Sequence, residues 1–396
     1  MNIENLYNEI QELLPVKRTT GDGDYREELS KAFAKYESLL KDIDLDVKQK
    51  CDNWNEVEDR TNKLISEIKS SVKSYYEGLH SVAFTTIKDE MLGNSQTEGI
   101  FNSIDLYTVK VNTHYYRARD FDNNNRHKQY LDMFHIPLDK RGIVKTQRYS
   151  TPGYPCLYLG NTTYACWEEL QRPRFDNLMF SAFKTMKEFR LLDLRTPSRD
   201  DFLIEDKFCK IILRLPLIIA CSIIVYNDED DFKPEYIIPQ LLIETIISQN
   251  REQNNKGSYN DIRILGVMYT STHINDDFEY NRNVFDNVAI PIIDVSSSSG
   301  YCNILSEHFS ITNPTCYEYE EIRGGFGIDG GEFGLSEEEK KEQRYKLSKM
   351  GALEARMKTF PFYQIPYVIV SEEIVLPATG EPVQVPIRSN TDWSIS

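Results

Sequence analysis

The hydrophobic pattern changes period near Leu106, and this change constrains the fold more than any single motif does. Upstream, Leu29, Phe33, Tyr36, Leu40 and Ile43 recur at alternating spacings of four and three, which puts them on one helical face. Trp54, Val57, Leu64, Ile68, Val72 and Tyr75 continue a similar stripe with a polar gap at Thr61. The pattern predicts two antiparallel helices, over residues 24–44 and 53–78, joined near Asp46 and burying their stripes against each other. A helical nuclease with an Arg-x-x-x-x-His signature is the less favoured alternative, because Arg60 and His80 stand too far apart to form that signature. The segment reads as a packing or partner-binding domain, followed by a linker at Asn94 to Gly99.

Downstream, the chain breaks into short aromatic and β-branched runs: Tyr107 to Arg119, Cys156 to Gly160, Phe189 to Leu194, Ile262 to Thr270 and Val288 to Val295. These predict strands. Helices are expected between them at Thr162 to Arg172, ended by Pro173, and at Pro239 to Asn250. Without a regular strand–helix alternation the class is α+β. Ser336 and Glu339 have capping-box spacing before a helix at Lys340 to Lys358. A small strand cluster is expected at Tyr363 to Val370, Ile374 to Leu376 and Val383 to Ile387. The expected domains are a helical 1–100, a catalytic 101–322 and, over 323–396, a glycine-rich linker with a helix and strands.

Forty-six Lys and Arg against 62 Asp and Glu give a net charge of -16, which argues against a general nucleic-acid binder. Seven cysteines, at 51, 156, 166, 209, 221, 302 and 316, form no Cys-x-x-Cys pair; they read as reduced thiols of a cytoplasmic protein. The apolar run Ile211 to Val225 contains Arg214 and Pro216 and reads as buried core rather than a membrane span. Met1 to Glu12 has no signal-peptide pattern.

Two motifs are set aside. Gly325-Phe326-Gly327-Ile328-Asp329-Gly330 matches a dinucleotide fingerprint, but Glu318-Tyr319-Glu320-Glu321 stand where the buried strand should be. Leu376-Pro377-Ala378-Thr379-Gly380 matches a cell-wall sorting signal without its anchor, and reads as a hairpin turn. The six histidines include no ligand-spaced pair, so no metal is expected. His127 and His135 read as ordinary solvated or hydrogen-bonded imidazoles.

In the strand Tyr107 to Arg119, Val109, Val111, Tyr115 and Arg117 share parity, so Arg117 falls on a mostly apolar face. A guanidinium there needs an anionic partner; a buried carboxylate and a bound anion both satisfy that requirement. The turn from Lys145 to Pro155 is dense in Arg, Tyr, Ser and Gly and is built like a binding loop. On the short helix after Gly160, Glu168 and Glu169 differ by about 100° in direction, so one of them faces inward.

Together these pieces resemble the RES domain family. The matching residues are Tyr116-Arg117-Ala118-Arg119, Arg148-Tyr149-Ser150-x-x-Gly153-x-Pro155-x-Leu157-Tyr158, Ala165-x-x-Glu168-x-Leu170, Phe189 to Asp193, and Gly266 to Ser271. The resemblance spans roughly Leu106 to Ile293. It implies a mixed-sheet core like that of the ADP-ribosyltransferases and cleavage of NAD at the nicotinamide–ribose bond by hydrolysis, phosphorolysis or ADP-ribosyl transfer. It also implies an intracellular toxin restrained by an antitoxin or acting in defence. NAD would be the substrate, with no separate cofactor. On this resemblance Glu168 stabilises the developing oxocarbenium ion and Arg117 binds the pyrophosphate or orients the ribose. Tyr149 walls the nicotinamide, Ser271 and Ser150 supply hydroxyls, and Arg148 and Tyr158 contact phosphate and rings. A non-catalytic NAD-binding scaffold is the rival reading.

Overall fold

A computed structural model of the chain describes residues 1–18, 24–95, 97–120, 129–255, 263–273, 282–294, 300–324, 336–366, 368–369 and 388–389. Its helices are α1 (Ile3–Leu13), α2 (Tyr25–Lys41), α3 (Leu45–Lys48), α4 (Trp54–Tyr76), α5 (His80–Leu92), α6 (Thr163–Glu169), α7 (Arg199–Leu203), α8 (Glu205–Cys221), α9 (Ile237–Asn255), α10 (Asn303–His308), α11 (Tyr317–Gly324), α12 (Glu337–Leu347) and α13 (Lys349–Met357). The strands are β1 (Leu106–Val109), β2 (His114–Asp120), β3 (Cys156–Gly160), β4 (Leu178–Thr185), β5 (Phe189–Leu194), β6 (Ile264–Thr270), β7 (Asp286–Pro291), β8 (Phe309–Thr312) and β9 (Phe362–Gln364), with the short pair β10 (Val368–Ile369) and β11 (Arg388–Ser389). The class is α+β with a helical N-terminal region. The glycine motif at 325–330, the turn at 376–380 and His127 lie outside the described residues.

The chain divides into two compact units. One comprises Met1–Thr108, Lys145–Pro152 and Phe189–Pro291; the other Val109–Val144, Gly153–Glu188 and Ile292–Ser396. The three contiguous domains expected from sequence differ from these interleaved units because strand pairing, which the linear pattern does not reveal, gathers distant segments.

In the first unit the predicted stripes are buried: Leu29, Phe33, Tyr36 and Leu40 on α2, and Leu64, Ile68 and Val72 on α4. Asp24 and Asn53 cap these helices by accepting from Arg26 N and Glu56 N. Thr61, the polar gap, donates its hydroxyl to Val57 O at 2.7 Å and so is satisfied within its own turn. α4 packs on α5 and α8 as well as on α2, and the Tyr36 hydroxyl donates to Ile212 O. The apolar run is the buried α8; its Arg214 pairs with Asp193 at 3.1 Å. Asn94 to Gly99 is not a linker: Asn94 N donates to Thr97 O, and Gly93 bridges Glu98. Strand order in this unit is β1-β5-β6-β7, with β5 and β6 parallel and β7 antiparallel to β6.

The cysteine expectation is corrected in this unit. Cys51 and Cys209 form a disulfide, while the other five cysteines remain thiols. Their separation of 158 residues hides a proximity created when the segment between α3 and α4 meets α8.

The second unit holds an antiparallel sheet in the order β3-β2-β4-β8-β9. β4, which carries no clean strand pattern in the sequence, pairs along all of β2, from His114↔Lys184 to Asp120↔Leu178. It lacks clean alternation because both of its faces are buried. The single helix predicted at Lys340 to Lys358 is two helices. The Ser336–Glu339 capping box starts α12, and Ser348 ends it and caps α13 by accepting from Gly351 N. A Cβ at Gly351 would lie 2.4 Å from Tyr345 O, so glycine permits the close junction. Among the described residues no helix is long and apolar enough to cross a membrane.

Candidate functional site

The long strand expected from Tyr107 to Arg119 is two strands. Asn112 takes a left-handed backbone conformation, φ 65°, and Thr113 Oγ1 donates to Lys110 O at 2.7 Å, so the chain turns between β1 and β2. Val111 is accordingly exposed and does not share a face with Arg117. On β2 the alternation is sharp. Tyr116 and Ala118 join a core with Phe180, Ala182, Cys166, Leu353 and Met357, while Arg117 and Arg119 occupy the other face.

Arg117 has no carboxylate partner among the described residues. Its Nη1 donates to Met133 O at 3.2 Å and Phe134 O at 2.8 Å. Arg119 Nη2 donates to the same Phe134 O at 3.0 Å. Of the two anionic partners open to it, a protein carboxylate is absent among the described residues, and the backbone carbonyls in its place compensate only part of the desolvation of a guanidinium. Burial, and then the neighbouring Arg119 charge, lower the pKa of Arg117 well below its ordinary range. Burial also lowers that of Arg119. Directly opposite Arg117 on β4 stands Ser181, buried and with its hydroxyl unpartnered among the described residues. Two crowded cations beside an unused hydroxyl make a face that suits an anion.

His135 follows the carbonyls that hold these arginines. Cys302 N donates to its Nε2 at 2.9 Å, and its Nδ1 lies 2.9 Å from Ile136 O, a set satisfied by the neutral ring protonated on Nδ1. Burial brings its pKa down to about 4. It is hydrogen-bonded, one of the two readings its sequence position allowed.

Glu168 lies on α6, whose first turn is capped by Thr162. Cys166 Sγ donates to Tyr116 O at 3.2 Å and fixes the helix to β2. Glu168, about 200° around the helix from Cys166, is only 2% exposed, whereas Glu169 is half-buried. Glu168 Oε2 accepts from Arg172 Nε at 2.8 Å; Oε1 is buried with no partner among the described residues. Arg172 and Gln171 both have positive φ, 55° and 60°, each costing roughly 1–2 kcal/mol for a residue with a Cβ. The helix end therefore holds strain of the kind that marks functional sites.

Arg117 and Glu168 are not joined by a hydrogen bond or ion pair. Tyr158 is half-buried on β3, the strand that pairs with β2 at Tyr116↔Gly160.

The remaining candidates belong to the first unit. Arg148 is committed to structure: Nη1 donates to Cys221 O and Ile223 O, Nη2 to Thr272 Oγ1, and the guanidinium lies 5.3 Å from the centroid of Tyr236. Tyr149 is fully buried against Tyr269, with centroids 4.7 Å apart. Ser150 closes the turn through backbone bonds with Gln147. Ser271 donates its amide to Phe285 O, and its hydroxyl accepts from His273 N at 3.2 Å.

The chain is 32% identical over 275 residues to a Bacillus subtilis (strain 168) protein named "Putative toxin YopC". The alignment covers 65% of this chain and 59% of that protein. The chain thus spans about three-fifths of the length of the curated relative it matches. No family model matches the chain. No solved structure matches it.

Several neighbours of these groups were missed in the sequence. Arg172 stands four residues after Glu168, the spacing of a helical ion pair, and was the most findable. Arg119 shares parity with Arg117. Ser181 carried no signal, because only strand register sets it opposite Arg117.

Proposed function

We propose that this protein is a toxin that consumes NAD by cleaving the bond between nicotinamide and C1' of ribose. The observation that carries the reading is Glu168, a buried carboxylate with one oxygen held by Arg172 and the other left without a partner among the described residues. As nicotinamide departs with the bonding electron pair, positive charge develops on the ribose, and a fixed carboxylate in a dry site stabilises it. Water or phosphate captures C1', so no protein nucleophile is needed. The paired guanidiniums of Arg117 and Arg119 suit the pyrophosphate. A dinucleotide carries both a pyrophosphate for the guanidiniums and a ribose for the carboxylate, so one substrate can call on both groups. The name of the Bacillus subtilis relative supports the toxin role, as does the order of the RES-like motifs. An antitoxin or other restraining protein is the partner this role calls for.

The test is release of nicotinamide from NAD by purified wild type and Glu168→Ala, with circular dichroism to check folding. Turnover by wild type and its loss in a folded Glu168→Ala variant are expected. Intact NAD after prolonged incubation with folded wild type would sink the reading. Labelled ADP-ribose found on a macromolecule, instead of free or as its phosphate, would assign transfer in place of hydrolysis or phosphorolysis.

A further inference from the structure

α6 is seven residues long, and isolated helices shorter than about 12–15 residues are marginal in water. Its geometry depends on external ties, above all at the first turn, where backbone N–H groups have no acceptor within the helix. Thr162 Oγ1 supplies one acceptor, to Ala165 N at 3.0 Å. The other comes from the C-terminal region. Glu354 Oε1 on α13 accepts from Thr163 N at 2.6 Å and from Thr163 Oγ1 at 3.0 Å. The Tyr345 hydroxyl of α12 donates to that same oxygen.

One carboxylate oxygen therefore gathers three donors from two segments, in a place where Glu354 is only 8% exposed. Burial raises its pKa while the Tyr345 and Thr163 donors oppose the rise. Such a group is costly unless its donors stay in place, so geometry is enforced in both directions. Leu353 and Met357 pack beside Cys166 and add an apolar clamp. Glu168 lies five residues after the clamped Thr163, on the same short rigid element.

We propose that Glu354 is a positioning residue for Glu168, and that the α12–α13 pair is thereby part of the catalytic apparatus rather than an appendage to it. The catalytic half of this inference rests on the NAD-cleavage reading. The structural half, that Glu354 holds α6, stands on the hydrogen bonds alone.

The experiment uses the full chain with Glu354→Gln, Glu354→Asp and the milder Tyr345→Phe, which removes one donor and keeps the carboxylate. Amide exchange of residues 163–169 reports whether α6 is held, and kcat and KM for NAD report the consequence. In Glu354→Gln, exchange of that segment rises while the rest of the sheet is unchanged. Its kcat falls about tenfold or more, because small misplacements of a reacting group are costly, and KM moves by less than about twofold. Glu354→Asp restores part of both, and Tyr345→Phe shifts both in the same direction by less. Unchanged exchange in Glu354→Gln and Tyr345→Phe overturns the inference, as does faster exchange with unchanged kcat. A wild type inert toward NAD overturns the NAD reading and the catalytic half with it, leaving the exchange data to judge whether Glu354 holds α6.

Discussion

Glu168 and Arg172 form an ion pair of unequal burial: the carboxylate is 2% exposed and the guanidinium 35%. Glu168 is in the last turn of α6, and beyond that turn left-handed Gln171 and Arg172 fold the chain back so that Gln171 N reaches Glu168 O. Strain in two residues thus places the counter-charge of one buried acid.

Removing Arg172 leaves that acid buried and unpaired. Arg172→Ala is expected to cost about 1–3 kcal/mol of stability in urea unfolding. Glu168→Gln in the Arg172→Ala background should recover part of the loss, since it removes the stranded charge. Equal stability of Arg172→Ala and wild type would show that the ion pair does not hold the site.

His135 makes stability depend on pH. Its folded pKa is about 4, below the 6.5 of an unhindered imidazole, so as pH falls through 6.5 the unfolded chain takes up a proton that the native ring refuses. Its contribution is fully present above pH 6.5 and is lost between pH 6.5 and about 4, by at most about 3 kcal/mol. His135→Gln, with no titrating ring, should flatten the stability profile in that window. An unchanged profile would assign the acid sensitivity elsewhere.

Gly266 sits in β6 where a Cβ would lie 2.2 Å from Ala289 O on β7. Gly266→Ala must push the paired strands apart, at a cost of about 1–3 kcal/mol. A lowered melting temperature is the expected result, and a tolerated alanine would contradict the observed approach of the strands.

The Cys51–Cys209 disulfide closes a loop across 158 residues of separation, so its reduction should lower stability by about 2–5 kcal/mol. Thiol titration of the unfolded chain should find five free groups before reduction and seven after it. Seven before reduction would show that the bond does not form.

Periodicity alone determined the helical region, because the stripes on α2 and α4 are local consequences of 3.6 residues per turn. It also placed β3 and β5 to the residue, and the capping box at Ser336, where signal and structure lie within a few positions. That one of the two adjacent acids Glu168 and Glu169 faces inward was legible for the same reason, whereas the face of Arg117 was not, because the strand breaks at Asn112 and Val111 is exposed. The RES resemblance already pointed to Glu168; the tertiary structure buries it and leaves Glu169 half-buried, and only the tertiary structure gives Arg117 the carbonyls of Met133 and Phe134 as partners. It alone put Ser181 opposite Arg117, joined Cys51 to Cys209 and brought Glu354 to the first turn of α6. Each of these depends on strand register or helix docking between segments far apart in the chain, and such contacts leave no period in a sequence. Even the break at Asn112, a local event, escaped the alternation of Val109, Val111 and Tyr115, because one left-handed residue redirects a strand without altering its hydrophobic pattern.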